Sequence, residues 1–290
     1  MCMENVLRST RVTLEMIKWE HSIFALPFAL TGAVLAANGW PSLRVLLWIV
    51  VCMVSARSAA MAFNRLVDSD IDAVNPRTAM RALPKGELSR GFVLSFTMLA
   101  SGLFLLGAAM LNRLTLELAP FALAIVLAYS YMKRVTRWSH LVLGLALGIA
   151  PAAAWVAVRG TIAPRALLLT AIVILWVGGF DVLYACQDFE HDRKVGLNSV
   201  PQAFGIEGAF WIARVMHLGM AALLFVLLHV FGLGMIALVG VAIVLVLLAY
   251  EHSIISPKDL RRMNAAFFTL NGVISVVFFV AVAADVLHRR

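Results

Sequence analysis

The sequence is short of the residues that keep a protein in water. Of its 290 residues only 14% are charged and 62% are hydrophobic. A water-exposed domain carries about 25% charged residues to wet its surface, so a soluble globular protein is excluded. Cysteine is scarce as well. Cys2, Cys52 and Cys186 form no CxxC pair, and two of them lie in apolar runs, which excludes a disulfide framework and a zinc site. Acidic residues number 16 against 24 Lys and Arg, a formal net charge of +8. The basic excess is scattered between apolar runs and does not line one face, so no nucleic acid is expected as a partner; the lipid bilayer is.

What is present is a succession of apolar stretches long enough to cross a bilayer. Spans are expected near Ser22–Ala37, Leu43–Phe63, Phe92–Leu111, Leu116–Met132, Leu141–Val158, Ala166–Tyr184, Ala209–Val230, Leu233–Tyr250 and Ala265–Leu287. This makes an all-α polytopic membrane protein of about nine helices, one transmembrane domain over residues 1–290. The first apolar run is not read as a signal peptide, because Glu4, Glu15 and Glu20 precede it. Residues 1–21 read as a cytoplasmic or interfacial segment, with a short helix from Val6 to Trp19 turning Arg11 and Lys18 toward headgroups. Basic residues collect on one side, among them Arg65, Arg77, Arg81, Lys85, Lys133, Arg134, Arg193 and Lys194; few fall on the other. The positive-inside rule makes the richer side cytoplasmic, with the N-terminus inside and the C-terminus on the opposite side.

The few acidic residues are grouped. The second span runs into Asn64, Asp68 and Asp72, spaced by four, and the sixth into Tyr184, Asp188 and Asp192, also spaced by four. On a helix each set forms one stripe. Like charges at that spacing repel, so stability alone does not favour it. Four carboxylates facing a polar cavity need cations, and hard oxygen ligands beside a phosphate-bearing substrate suit Mg2+. Arg65 and Lys194 flank the stripes, and Tyr129 with Lys133 puts a hydroxyl and an ammonium on one face of the fourth span. Arg57 and Asp181 each lie seven residues before a motif, about 10 Å deeper. An ionisable residue at that depth is a functional-site candidate; the two either pair with each other or bind a polar ring below the metals. Arg214 has no evident partner, and His217 and His229 read as packed core histidines. Together these features describe a site for a diphosphate with a hydrophobic tail. Metals and bases there would stabilise the leaving group while an apolar interior shelters a carbocation.

These residues resemble the UbiA superfamily of intramembrane prenyltransferases. The NxxxDxxxD motif is met by Asn64, Asp68 and Asp72. The DxxYxxxDxxxD and KxGxxS pattern is met by Asp181, Tyr184, Asp188, Asp192, Lys194, Gly196 and Ser199, and YxxxK by Tyr129 and Lys133. The resemblance covers essentially the whole chain. It implies nine helices around a central cavity, a polyprenyl diphosphate donor, a bacterial-type inner membrane, and Mg2+ held by Asp68, Asp72, Asp188 and Asp192 with Asn64 nearby. Tyr129, Lys133, Arg65, Lys194 and Arg77 would contact the diphosphate, with Arg77 and Arg81 closing over it. Arg57 would bind a small aromatic acid acceptor, and Asp181 would orient it or take its ring proton. The run from Asn64 to Gly86 resembles the 4-hydroxybenzoate branch of ubiquinone synthesis. Lys18–Pro27 and Tyr184–Asp188 also resemble a sister group that prenylates 1,4-dihydroxy-6-naphthoate on a menaquinone route. Two other membrane classes fit less well: CDP-alcohol phosphotransferases need a different aspartate context, and a cation-coupled transporter would place its carboxylates at the midplane.

Overall fold

In the computed structural model, which describes residues 11–17, 22–263 and 269–289, all regular elements are helical. They are α1 (Ser22–Ala37), α2 (Leu43–Val74), α3 (Arg90–Leu111), α4 (Arg113–Val135), α5 (Ser139–Arg159) and α6 (Pro164–Ala185). After a 3-10 turn, Cys186–Asp188, come α7 (Phe189–Val195), α8 (Val200–Val230), α9 (Met235–Ile254) and α10 (Asn271–His288). Among the described residues eight helices, α7 counted with α6, are long and apolar enough to cross a membrane; α1, at 16 residues, is a shorter apolar helix beside them.

Local chemistry sets most boundaries. Ser42, Ser89, Asn112 and Ser199 each accept a backbone N–H in the first turn of the helix they cap. Gly160 takes the left-handed conformation that ends α5 (φ 66°), and Pro164 opens α6. Two boundaries depart from the apolar pattern. The second span does not stop at Phe63: α2 continues for 32 residues, roughly 48 Å at 1.5 Å per residue, so its last turns carry the first motif beyond an apolar slab of about 30 Å. α8 begins at Val200 and not Ala209, because Ser199 and Pro201 start a helix before the apolar run; it bends at Gly205 (φ 72°).

The bundle has two unlike halves. α1, α5, α6, α8, α9 and α10 pack into a solid one, centred on Trp176, which is fully buried. Phe28 tilts against its indole and Phe180 meets it edge to face, with ring centroids 4.9 and 5.1 Å away. Backbones approach closely here. A Cβ on Gly32 of α1 would lie 2.3 Å from the carbonyl oxygen of Pro151 on α5, so only glycine permits this crossing. The other half, α2, α3 and α4 with α5 and one face of α6 as its wall, borders a cavity of about 1050 Å3. Residues 11–17 are helical and bury Met16 and Ile17 against Ala62, Leu88 and Val93. This part of the N-terminal segment therefore packs on protein as well as showing Arg11 to the outside; residues 6–10, 18 and 19 of the expected interfacial helix lie outside the described residues.

Candidate active site

Asn64, Arg65, Asp68 and Asp72 ride on the last turns of α2, and Arg65, Asp68 and Asp72 are all buried. Buried carboxylates require partners, and both have them. Asp68 accepts from Lys133 Nζ at 2.6 Å, Arg134 Nη2 at 3.0 Å and Asn64 Nδ2 at 3.1 Å. Asp72 takes Arg81 Nη1 on both oxygens, at 2.7 and 2.6 Å. The loop after α2 folds back over the motif: Thr78 Oγ1 donates to the Asp72 carbonyl at 3.0 Å, and Asn75 accepts the Arg77 amide at 2.9 Å.

The second motif is not one straight stripe. α6 stops at Ala185, and the 3-10 turn through Cys186, Gln187 and Asp188 shifts Asp188 and Asp192 off the helix that carries Asp181 and Tyr184. Asp188 accepts from Arg77 Nε at 2.8 Å and from Asn75 Nδ2 at 3.3 Å, and is ion-paired with Arg77 through Nη2. Arg77 Nη1 also donates to the Tyr184 hydroxyl at 3.2 Å. Partial burial works against the charge of Arg77, but its hydrogen bonds to Asp188 and the carboxylate's charge outweigh that and hold the guanidinium above its ordinary value. Asp192 lies among the charges of Asp188, Lys133 and Arg77. Gly196 ends α7 with φ 70° and Ser199 caps α8, which gives the KxGxxS residues a backbone reason. Lys194 is exposed and does not line the cavity, so its expected place beside the diphosphate is not preformed.

Deeper in, the expected pairing of Arg57 with Asp181 is not present. Both line the cavity, but Asp181 Oδ2 is 2.7 Å from His140 Nδ1. Arg57 Nε is buried without a hydrogen-bond partner. Equal depth along two helices does not fix which way each side chain turns, and α5 supplies a nearer partner. Tyr129 and Arg65 line the same cavity. Of the remaining polar residues, His217 is buried as expected but bonded, to the Trp176 carbonyl at 3.2 Å and to His252 at 2.8 Å. His229 is exposed and not packed in the core. Arg214 finds a partner in the face of Trp211, 5.2 Å from the ring centroid.

The cavity is charged at one end only. Arg77, Arg81, Arg65, Tyr129, Asp181 and Arg57 mark the motif end, while Leu111, Leu118, Ile162 and Leu167 mark the other. Among the described residues no three His, Cys, Asp or Glu side chains converge as a preformed metal cage. The ligands expected from the motifs are all oxygen donors, the chemistry that Mg2+ takes with water and substrate oxygens completing its shell. Sequence reasoning missed Asn75, Arg134 and His140. Their partners lie 113, 66 and 41 residues away, beyond any local spacing.

The chain matches the profile of the UbiA prenyltransferase family over residues 25–273. It is 34% identical to a 4-hydroxybenzoate octaprenyltransferase of Aliivibrio fischeri over 254 residues, 87% of this chain and 88% of that protein. One from Vibrio cholerae is 34% identical over 84% of this chain and 86% of its own length. Among solved structures, the apo form of a UbiA homologue from Aeropyrum pernix superimposes with a TM-score of 0.84 at 34% identity, covering 92% of this chain and 98% of that one. A homologue from Archaeoglobus fulgidus, bound to DMAPP and Mg2+, does so at 0.75 and 20% identity, covering 95% and 99%. With its profile match, full-length relatives, helical bundle and cavity charged at one end, the chain is a member of the UbiA prenyltransferase family.

Proposed function

We propose that this protein transfers a polyprenyl chain from polyprenyl diphosphate to the ring carbon of 4-hydroxybenzoate ortho to its hydroxyl. The observation that carries the acceptor class is Arg57, a guanidinium that lines the cavity with a buried, unpartnered Nε. A buried cation of this kind is matched by a carboxylate, and a planar guanidinium binds one in two-pronged fashion. The curated relatives, named for 4-hydroxybenzoate, support that acid in particular.

The diphosphate binds at the motif end, against Tyr129, Lys133, Arg65 and Arg77, with Lys194 joining from the exposed turn. Asp68, Asp72, Asp188 and Asp192, with Asn64, would hold Mg2+, which supplies Lewis-acid neutralisation of the diphosphate oxygens. Because Asp68, Asp72 and Asp188 are now paired with Lys133, Arg134, Arg81 and Arg77, the same basic groups can pass from carboxylate to diphosphate. The allylic C–O bond breaks and its electron pair leaves with the diphosphate. The allyl cation is sheltered from water by the apolar walls. The ring carbon ortho to the hydroxyl forms the new C–C bond, with the acceptor carboxylate on Arg57, and Asp181 takes the ring proton. The motif end faces the cytoplasm, since the basic loops gather there, and the whole chain acts as one domain.

The test is prenyl transfer by the detergent-purified protein, with and without Mg2+, offering 4-hydroxybenzoate and 1,4-dihydroxy-6-naphthoate in parallel. Metal-dependent product with 4-hydroxybenzoate is expected. Product with the naphthoate alone would overturn the acceptor while keeping the donor site.

A further inference from the structure

His140 has no part in the steps above, yet it stands directly behind the acceptor-side carboxylate. Its side chain is 5% exposed, and its Nδ1 lies 2.7 Å from Asp181 Oδ2. On its other edge Nε2 faces the backbone N–H of Val200 at 3.3 Å. A backbone amide can only donate, so the lone pair sits on Nε2 and the proton on Nδ1. The imidazole therefore donates to Asp181 and the carboxylate accepts through Oδ2, which leaves Oδ1 for a ligand in the cavity.

The amide that sets this arrangement is itself fixed. Val200 is fully buried at the start of α8, and Ser199 caps that helix by accepting the Gln202 amide at 3.3 Å. One residue earlier, the Asn198 amide donates to the Lys133 carbonyl at 2.8 Å. On the histidine's own side, α5 and α6 cross so closely that a Cβ on Gly144, one turn on from His140, would lie 2.6 Å from the Ile174 carbonyl oxygen. A carboxylate in an apolar wall, free to rotate, would swing toward the cations at the cavity mouth; this one is tethered.

We propose that His140 is a positioning residue for ring prenylation: held by the Val200 amide, its imidazole fixes the Asp181 carboxylate at the cavity wall in the orientation that receives the aromatic acceptor. The proposal rests on the reading of Asp181 as an acceptor-side group. It assigns the histidine no contact with either substrate, so its loss acts on the acceptor and leaves donor binding alone.

Three variants of the full chain test it, assayed in detergent with geranyl diphosphate, 4-hydroxybenzoate and Mg2+. His140→Leu keeps volume and removes the donor. His140→Asn places an amide N–H near the position of Nδ1. Val200→Pro removes the amide hydrogen and exchanges a buried isopropyl group for a ring of similar size. Proline is favoured at a first helical position, and Ser199 before it is already extended, φ −151° and ψ 164°. Misplacing a reacting group by about 1 Å costs about 100-fold, so His140→Leu is expected to lower acceptor kcat/KM by about that factor with the donor KM unchanged. His140→Asn should recover most of the loss, and Val200→Pro should fall between, again on the acceptor alone. Val200→Pro and His140→Asn carry the test if His140→Leu does not fold. Equal shifts in donor and acceptor KM, or an asparagine variant no better than leucine at equal Tm, would make His140 a packing residue and overturn the proposal. Asp181→Asn is run beside them: if it reacts normally, the reading of Asp181 falls and the proposal with it. If it loses acceptor kinetics while His140→Leu does not, only the positioning role falls.

Discussion

The two halves of the bundle are built from similar apolar residues and packed to opposite ends. In the solid half α6 buries Leu169, Ile172, Val173, Trp176 and Phe180 against α1, α8 and α10. In the hollow half α4 has only Ala119 and Ser130 fully buried, and its inner face lines the cavity. The ionisable residues divide in the same way. Those of the hollow half, Arg57, Arg65, Asp68, Asp72 and Lys133, gather at the cavity or its mouth, and Asp181 of α6 meets them from the solid half's side. In the solid half Glu251 and His217 are buried and do not line that cavity. The difference teaches that burial in this fold is divided between stability and space: one half holds the molecule together, and the other is held open for a chain and a ring.

Four substitutions break or sharpen that contrast. The largest effect is expected at the mouth of the hollow half. Asp68→Ala should reduce turnover by about 1000-fold or more, because a ligand to the charge-stabilising ion is lost, with Tm little changed; normal turnover by the purified variant would remove Asp68 from the site. In the solid half Trp176→Ala should destabilise the fold by about 3–5 kcal/mol, read as a fall in Tm, while leaving the acceptor KM of the surviving folded protein alone. Third, Arg57→Leu should raise acceptor KM by about 10- to 100-fold without weakening donor binding, since truncating one partner of a buried charge pair costs about 2 kcal/mol or more. A matching rise in donor KM would place Arg57 on the diphosphate instead. The smallest change in stability, under about 1.5 kcal/mol, is expected for Ala153→Phe, which lines the cavity and can extend into open space without overpacking. Its effect should appear as discrimination against long prenyl donors relative to geranyl diphosphate; equal loss with both would show that the chain runs elsewhere.

Much of the hollow half was legible because its chemistry is local. Asn64, Asp68 and Asp72 share one helix, so a spacing of four is enough to place them together. The second motif was read only in part. Nothing in Tyr184–Asp192 signals that α6 ends at Ala185, because that break is stabilised by contacts from elsewhere: Arg77 and Asn75 on Asp188, and Gln202 Nε2 on the Phe189 carbonyl at 2.5 Å. Arg57 and Asp181 show the same limit. Depth along a helix follows from counting residues, but the direction a side chain faces depends on which neighbour arrives, and His140 arrives from 41 residues away. The solid half was legible as spans and not as a core, since a helix that is apolar all round does not say which face meets protein and which meets lipid.

The one-ended charge of the cavity bears on the membrane as well as on the reaction. A hollow that reaches from Arg77 at one end of the helices to Ile162 and Leu167 near the other is, in electrical terms, most of a pore. Water threading it would give protons a path across the bilayer. Its distal walls, Leu111, Leu118, Ile162 and Leu167, offer no charge to hold a water column. The same greasy lining that suits an isoprenoid tail therefore works against a continuous file of water through the bundle.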